Sequence, residues 1–258
     1  MLAFQGLLKK DFHISKNWFF LWIGFLALFL ILPFALEVYF HQPLSFLPIA
    51  VIMLLGFHVF FLPGMLLSML RLEGKTQLWL YNPQNSKLLI LSKIVISIAY
   101  QLIAQLFITC VGLVIYLFFK DLFILDKADL FIELTTLNAG LVLISLYFSL
   151  WCLFYWTVYH SLGKYPKMKN WRWLFVFVLF ILLSLISSFL ESIDILQDIL
   201  TKWKIPVIMG ASFKYSHAGY TLGLNTMNLP VLTLVLYVAI SVGLFVISCL
   251  LLDRKVEV

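Results

Sequence analysis

The chain has 258 residues, 63% of them hydrophobic and 12% charged, and its mean hydropathy is +1.04. Those values exclude an ordinary soluble domain and place the chain among integral membrane proteins. The net charge of +6 calls for no nucleic acid, since topology and anionic lipid account for it.

The opening "MLAFQGLLKKDFHISKNW" carries Phe4, Leu7, Leu8, Phe12 and Ile14 on one broad helical arc, with Lys9, Lys10, His13 and Lys16 largely opposite. This pattern predicts an N-terminal interfacial helix, although Asp11 and Ser15 interrupt its apolar face. Its apolar run is too short for a secretory signal. Six later stretches each supply the roughly 20 apolar residues that cross a bilayer as a helix. They cover residues 18–40, 46–70, 88–119, 132–162, 172–193 and 230–252. The third and fourth exceed what spanning requires, so they tilt, kink or project into water. The fold class expected is an all-α integral membrane protein, with one transmembrane domain over residues 1–258 and no soluble domain. Pro33 in the first span and Pro63-Gly64 in the second are candidate hinges, static kinks being the plainer alternative.

Orientation follows from the lysines and arginines. The N-terminus, residues 71–93, residues 164–172 and the C-terminus hold 13 of the 18 basic residues. The opposite side holds Lys120, Lys127, Lys202, Lys204 and Lys214 with most of the acids. Both termini are therefore expected in the cytoplasm, which agrees with an even number of spans. Glu37 lies near enough to a membrane edge to be solvated.

Between the fifth and sixth spans, "ESIDILQDILTKWK" repeats Ile193, Leu196, Ile199, Leu200 and Trp203 at helical spacing. That predicts a short outer helix in the interface, with Pro206 ending it or turning the chain. The following stretch to residue 229, rich in Gly, Ser, Asn and Tyr, reads as loop or short re-entrant structure. Tyr215, His217 and Tyr220 in it are candidate outer-face substrate contacts, with simple loop packing as the alternative.

Catalytic and metal motifs are sparse. Cys110, Cys152 and Cys249 sit singly in apolar spans, where a thiol behaves as a small hydrophobe. The five histidines have no ligand spacing, and no Cys-x-x-Cys or His-Glu-x-x-His occurs. For His58 inside the second span, an inter-helix hydrogen bond is expected over a proton relay. The tripeptide Gly74-Lys75-Thr76 is not the tail of a phosphate loop: the first glycine of such a loop falls at Met69, and a membrane span precedes it instead of a buried strand.

The same stretch reads better as a short element between two spans. Gly74 can end the incoming helix, and Asn82-Pro83 can cap and start the next. Leu78, Trp79, Leu80 and Tyr81 are too apolar for a solvated loop and too few to cross a bilayer, so they want a partner surface. Here the chain resembles a known family. Glu73-Gly74-Lys75-Thr76, Leu78, Leu80, Asn82-Pro83, Ser86 and Lys93 are similar to the Glu-x-Gly-Thr … Leu … Pro-x-Ser … Lys signature of ABC-2 type permeases, with Lys75 inserted between the Gly and the Thr. These are the membrane subunits of ATP-binding-cassette exporters. The interfacial N-terminal helix, six spans, cytoplasmic termini and long outer segment extend the likeness along the chain.

The resemblance implies a permease subunit that pairs with a second permease, as homodimer or heterodimer, and with cytoplasmic ABC ATPase subunits. It implies a coupling helix between spans two and three, in which Glu73, Gly74, Thr76, Leu78, Trp79, Leu80, Tyr81 and Pro83 meet the ATPase. The chain itself is then no enzyme, and ATP and Mg belong to the partner. A bacterial cell membrane, contact with membrane lipid and an exported cargo, amphiphilic, peptide, drug or lipid-like, complete the expectation. A non-transporting scaffold or immunity protein is the alternative from composition alone. An intramembrane enzyme would need paired acids or spaced histidines within the spans.

Overall fold

In the computed structural model the residues described are 2–40, 46–76, 84–118, 130–165, 167–216 and 219–255. Six helices among them are long and apolar enough to cross a membrane: Ala3–Tyr39, Ile49–Lys75, Ser86–Phe118, Leu134–Lys164, Lys169–Glu191 and Val231–Asp253. This is the build of a multi-pass membrane protein. The expected spans agree to within a few residues, except at the start of the first and the end of the second.

The first exception is a correction. The N-terminal interfacial helix and the first span form one helix, α1 (Leu2–Tyr39), running through Asn17 and through Pro33 without a break. Its 38 residues extend about 57 Å at 1.5 Å per residue, nearly twice the hydrocarbon thickness. Nothing between Leu8 and Trp18 stops a helix, as neither Gly nor Pro occurs there. Glu37 is also corrected: it is 3% exposed, because it continues the Leu26–Leu30–Pro33 stripe that α1 turns toward its neighbours.

The second span is interrupted. Helix α2 (Phe46–Phe57) passes into a 3₁₀ turn (His58–Phe60) and then α3 (Phe61–Thr76). Pro63 lacks the N–H that would bond the Val59 carbonyl four residues back. Ser145 of α5 (Leu130–Ser161) fills that place, donating its Oγ–H to Val59 O at 3.0 Å. We expect Ser145→Ala to cost about 0.6–2 kcal/mol, the range for hydrogen bonds between membrane helices. The loss should be smaller in a Pro63→Ala background, where the new amide can reach Val59. Unfolding of the four variants in detergent checks this, and equal losses in both backgrounds would refute the exchange.

Helix α3 runs through Gly74 to Thr76, so Gly74 does not break it as expected. Helix α4 (Ser86–Phe118) starts later than the sequence suggested. Its cap is Asn85, whose Oδ1 accepts the Lys87 N–H at 3.2 Å, in place of Asn82-Pro83. Asn82 and Pro83 lie outside the described residues.

Packing among the described residues falls into three apolar clusters, the smallest of them Phe61, Met65, Met69 and Tyr100 between α3 and α4 with Ile14, Phe19 and Trp22 of α1 against it. Leu26, Leu30, Val51, Leu54, Ala104 and Ile108 join α1, α2 and α4. Leu66, Leu70, Ile90, Ile94, Leu150, Leu153 and Leu244 join α3, α4, α5 and α8 (Val231–Lys255). Ser86 Oγ donates to Cys249 O at 3.1 Å, fastening the start of α4 to α8. Helix α6 (Arg172–Glu191) buries no residue, which its uniformly apolar surface tolerates only in lipid or beneath another chain.

Outside the spans the structure departs from the all-α expectation. The short helix α7 (Asp194–Leu200) ends well before Pro206, leaving Trp203 beyond it. Strands β1 (Lys204–Ser216) and β2 (Gly219–Pro230) then form an antiparallel ribbon, irregular between Ile208 and Gly210, where a loop was expected. Runs such as Pro206-Val207-Ile208 and Ser212-Phe213-Lys214-Tyr215 favour strand through branched and aromatic residues. The glycines in the segment suggest a loop only while the pairing partner is unknown.

Candidate functional site

The densest polar arrangement gathers where the N-terminal third of α1, the end of α3 and the start of α4 meet. Asp11 on α1, Glu73 on α3 and Lys93 on α4 are 1%, 2% and 0% exposed. Lys93 Nζ lies 2.9 Å from Glu73 Oε2 and 3.3 Å from Asp11 Oδ1. From the rim, Lys10 Nζ reaches Glu73 Oε1 at 2.5 Å and Asp11 Oδ1 at 3.7 Å. Ser92 Oγ donates to Asp11 Oδ2 at 2.6 Å. All four carboxylate oxygens are therefore engaged by an ammonium or a hydroxyl.

The helix periods bring these groups together. Leu7, Asp11 and Ser15 are spaced by four, so they form one stripe on α1, and all three are buried. Asp11 and Ser15, which interrupt the apolar arc in the sequence, are the centre of the buried face. Ser15 Oγ donates to the Asp11 carbonyl at 2.6 Å, and Tyr100 of α4 donates its hydroxyl to Phe12 O at 3.1 Å. The Tyr100 ring also stacks on Phe19, with centroids 4.5 Å apart.

Taking such charges from water costs several kcal/mol each, and only close, fully hydrogen-bonded partners offset it. Two ammonium and two carboxylate groups supply that balance here. Chemically the arrangement is saturated: each acid faces a cation already placed. What it does well is fix three helices in one relation.

Over 261 aligned positions the chain is 31% identical to the uncharacterized protein YhcE of Bacillus subtilis (strain 168), and the match covers the whole of both chains. The chain belongs to the YhcE family. No family model matches it, and no solved structure does.

In this YhcE-family chain the residues marked by the sequence fall into three groups. Glu73 is in the charged cluster, with Gly74 half-buried and Lys75 exposed just beyond it. Thr76 is the last residue of α3, while Leu78, Trp79, Leu80, Tyr81 and Pro83 lie outside the described residues. Tyr215 and Tyr220 face each other across the β-ribbon register, and His217 between them lies outside the described residues. Of the candidate hinges, Pro63 is buried beside the 3₁₀ turn with Gly64 following, whereas Pro33 sits within unbroken α1.

Some site residues were not singled out for this role. Asp11, Lys10 and Ser92 were readable only as parts of an amphipathic pattern and an apolar span. The available signal was an acid at the centre of an apolar arc, paired with a lysine well inside a spanning helix. Either one alone demands a partner. His58 is corrected as well: its Nδ1 bonds Leu54 O of its own span at 2.7 Å, not a neighbouring helix.

Proposed function

We propose that this YhcE-family chain is the membrane subunit of an ATP-binding-cassette exporter of the ABC-2 permease type. A separate ATPase would drive it through residues 74–83, and a second permease, identical or not, would complete the pathway. The observation that carries the reading is the pairing of Glu73 with Lys93 at 2.9 Å. These two charged positions of the permease-like signature flank the segment 77–83; Lys93 is paired directly with Asp11 of α1, and Glu73 is linked to it through the shared Lys93 and Lys10. A push on that segment is therefore delivered at once to α1, α3 and α4, which is what a coupling element requires. The apolar Leu78-Trp79-Leu80-Tyr81 run supplies the complementary surface for a protein partner.

The deciding experiment is affinity capture of the tagged full chain from its native membranes. Recovery of an ABC-type ATPase whose hydrolysis depends on the chain supports the reading. Capture of the intact chain with no ATP-hydrolysing subunit would favour the scaffold alternative.

Orientation belongs to the same proposal, with residues 71–93 and both termini on the cytoplasmic side, as the basic residues suggest. An impermeant thiol reagent added to intact cells should label Lys202→Cys and spare Lys75→Cys. Cys110, exposed on α4, is replaced by alanine in the parent so that labelling reports the introduced cysteine. The reverse labelling pattern would refute the orientation and the coupling role together.

A further inference from the structure

The middle of the bundle holds a second polar group that the charged cluster does not use. On α4, Ser97, Gln101 and Gln105 recur every four residues and share one stripe, with exposures of 0%, 0% and 1%. Ile94, seven residues before Gln101 on the same face, packs in the cluster of α3, α5 and α8, while Tyr100 to one side packs with α1 and α3. The stripe is therefore turned inward, toward α3 and α5.

Its depth can be derived. Ile94 clusters with Leu150 and Leu153, and Asn138 Nδ2 donates to Thr109 Oγ1 at 3.1 Å, so α4 and α5 run antiparallel with Asn138 level with Thr109. Seven residues along α5, Ser145 is about 10 Å further in, level with α4 between Gln101 and Gln105. Ser145 is bonded to Val59, so the 3₁₀ turn His58–Phe60 lies at this depth too. His58 is fully buried, and its Nδ1 donates to the Leu54 carbonyl, which can only accept. Its Nε2 is then a bare acceptor. That atom has no hydrogen-bond partner among the described residues, and neither do Ser97 Oγ or either amide atom of Gln101 and Gln105.

We propose that this depth is a hydration site, with water held between α4 and the interrupted second span. The chemistry of the set selects the ligand. A cation wants acceptors alone and an anion donors alone, whereas two amide NH₂ groups and a hydroxyl stand here beside two amide carbonyls and an imidazole nitrogen. Only a neutral molecule that both donates and accepts satisfies such a mixture, and water is the smallest of these. Water in a protein interior takes two to four polar partners, which this set provides. Unpaired amides at mid-membrane are otherwise strongly disfavoured. Water also exchanges partners readily, so it lets the 3₁₀ turn beside Pro63 bend while its polar groups stay satisfied. None of this depends on the transport reading.

Water-edited ¹⁵N solid-state NMR of the labelled full chain in phospholipid bilayers tests the site directly. The side-chain amides of Gln101 and Gln105, assigned by loss of signal in Gln101→Met and Gln105→Met, should receive water magnetisation as fast as an exposed loop amide such as that of Asn85. The backbone amides of Leu66 and Leu153, fully buried in the apolar cluster of α3, α4, α5 and α8, should lag well behind. Glutamine build-up as slow as that of Leu66 and Leu153 would overturn the proposal. Uniform assignment of the wild-type chain keeps the test open if either variant fails to fold.

Discussion

Lys93→Met is expected to destabilise the chain by about 3–5 kcal/mol, the range found when one partner of a buried ion pair is removed. Methionine preserves most of the volume, so the loss is electrostatic. It leaves two buried carboxylates, Asp11 and Glu73, without their buried ammonium, and Lys10, whose side chain is 32% exposed, offsets them only from the rim. Lys93→Arg should not restore stability, because a forked guanidinium does not fit a site shaped around a compact ammonium. Restoring neutrality should succeed better. In the triple variant Asp11→Asn, Glu73→Gln, Lys93→Met, most of the loss should return, since matched neutral groups replace a buried ion cluster at little net cost. Added salt should barely change the Lys93→Met effect, because buried pairs are weakly screened. Denaturation in detergent at two ionic strengths measures all of this. A loss under about 1 kcal/mol, the scale of exposed pairs, would show that the cluster does not hold the three helices.

The spans were legible because each is an autonomous signal: about 20 apolar residues suffice to declare a crossing, whatever lies beside them. The candidate site was half legible. Glu73 and Lys93 were marked through a resemblance, but Asp11 read as a flaw in an amphipathic face, because its partners Ser92 and Lys93 lie 81 and 82 positions away in sequence. A buried charge looks like an error until its counter-ion is placed. The β-ribbon was missed for a related reason: Lys204–Ser216 and Gly219–Pro230 become strands only by pairing with each other, and glycine-rich segments advertise turns more loudly than edges. Asn85 was overlooked as the α4 cap since Asn82-Pro83 offered the stronger local signature.

Helix α3 joins the two polar features into one device. Its first turn carries Pro63 beside the 3₁₀ interruption, and its last carries Glu73 in the charged cluster. A helix bounded by a 3₁₀ interruption at one end and by ion pairs at the other would, in the proposed exporter, be suited to swing as a unit. In the proposed exporter, the push arrives at the Glu73 end, and the bend is taken up at His58–Phe60.

The push itself is tested by contrasting two neighbours, Trp79 and Lys75. Truncating an aromatic anchor at an interface typically costs about 2–4 kcal/mol when it is a hot spot. At about 1.4 kcal/mol per tenfold, association falls roughly 30- to 700-fold. Trp79→Ala should therefore lose the ATPase on purification while the chain still inserts and folds, because the residue lies outside the spans. Lys75 is exposed at the end of α3, and an exposed charge acts mainly on encounter rate and is screened by salt. Its replacement by alanine should leave association within about threefold at physiological ionic strength. The comparison is made by capture of the ATPase from membranes and by hydrolysis in reconstituted vesicles. If Trp79→Ala keeps full association and coupled hydrolysis while Lys75→Ala destroys both, the segment works through charge, and its assignment as an apolar coupling element is wrong.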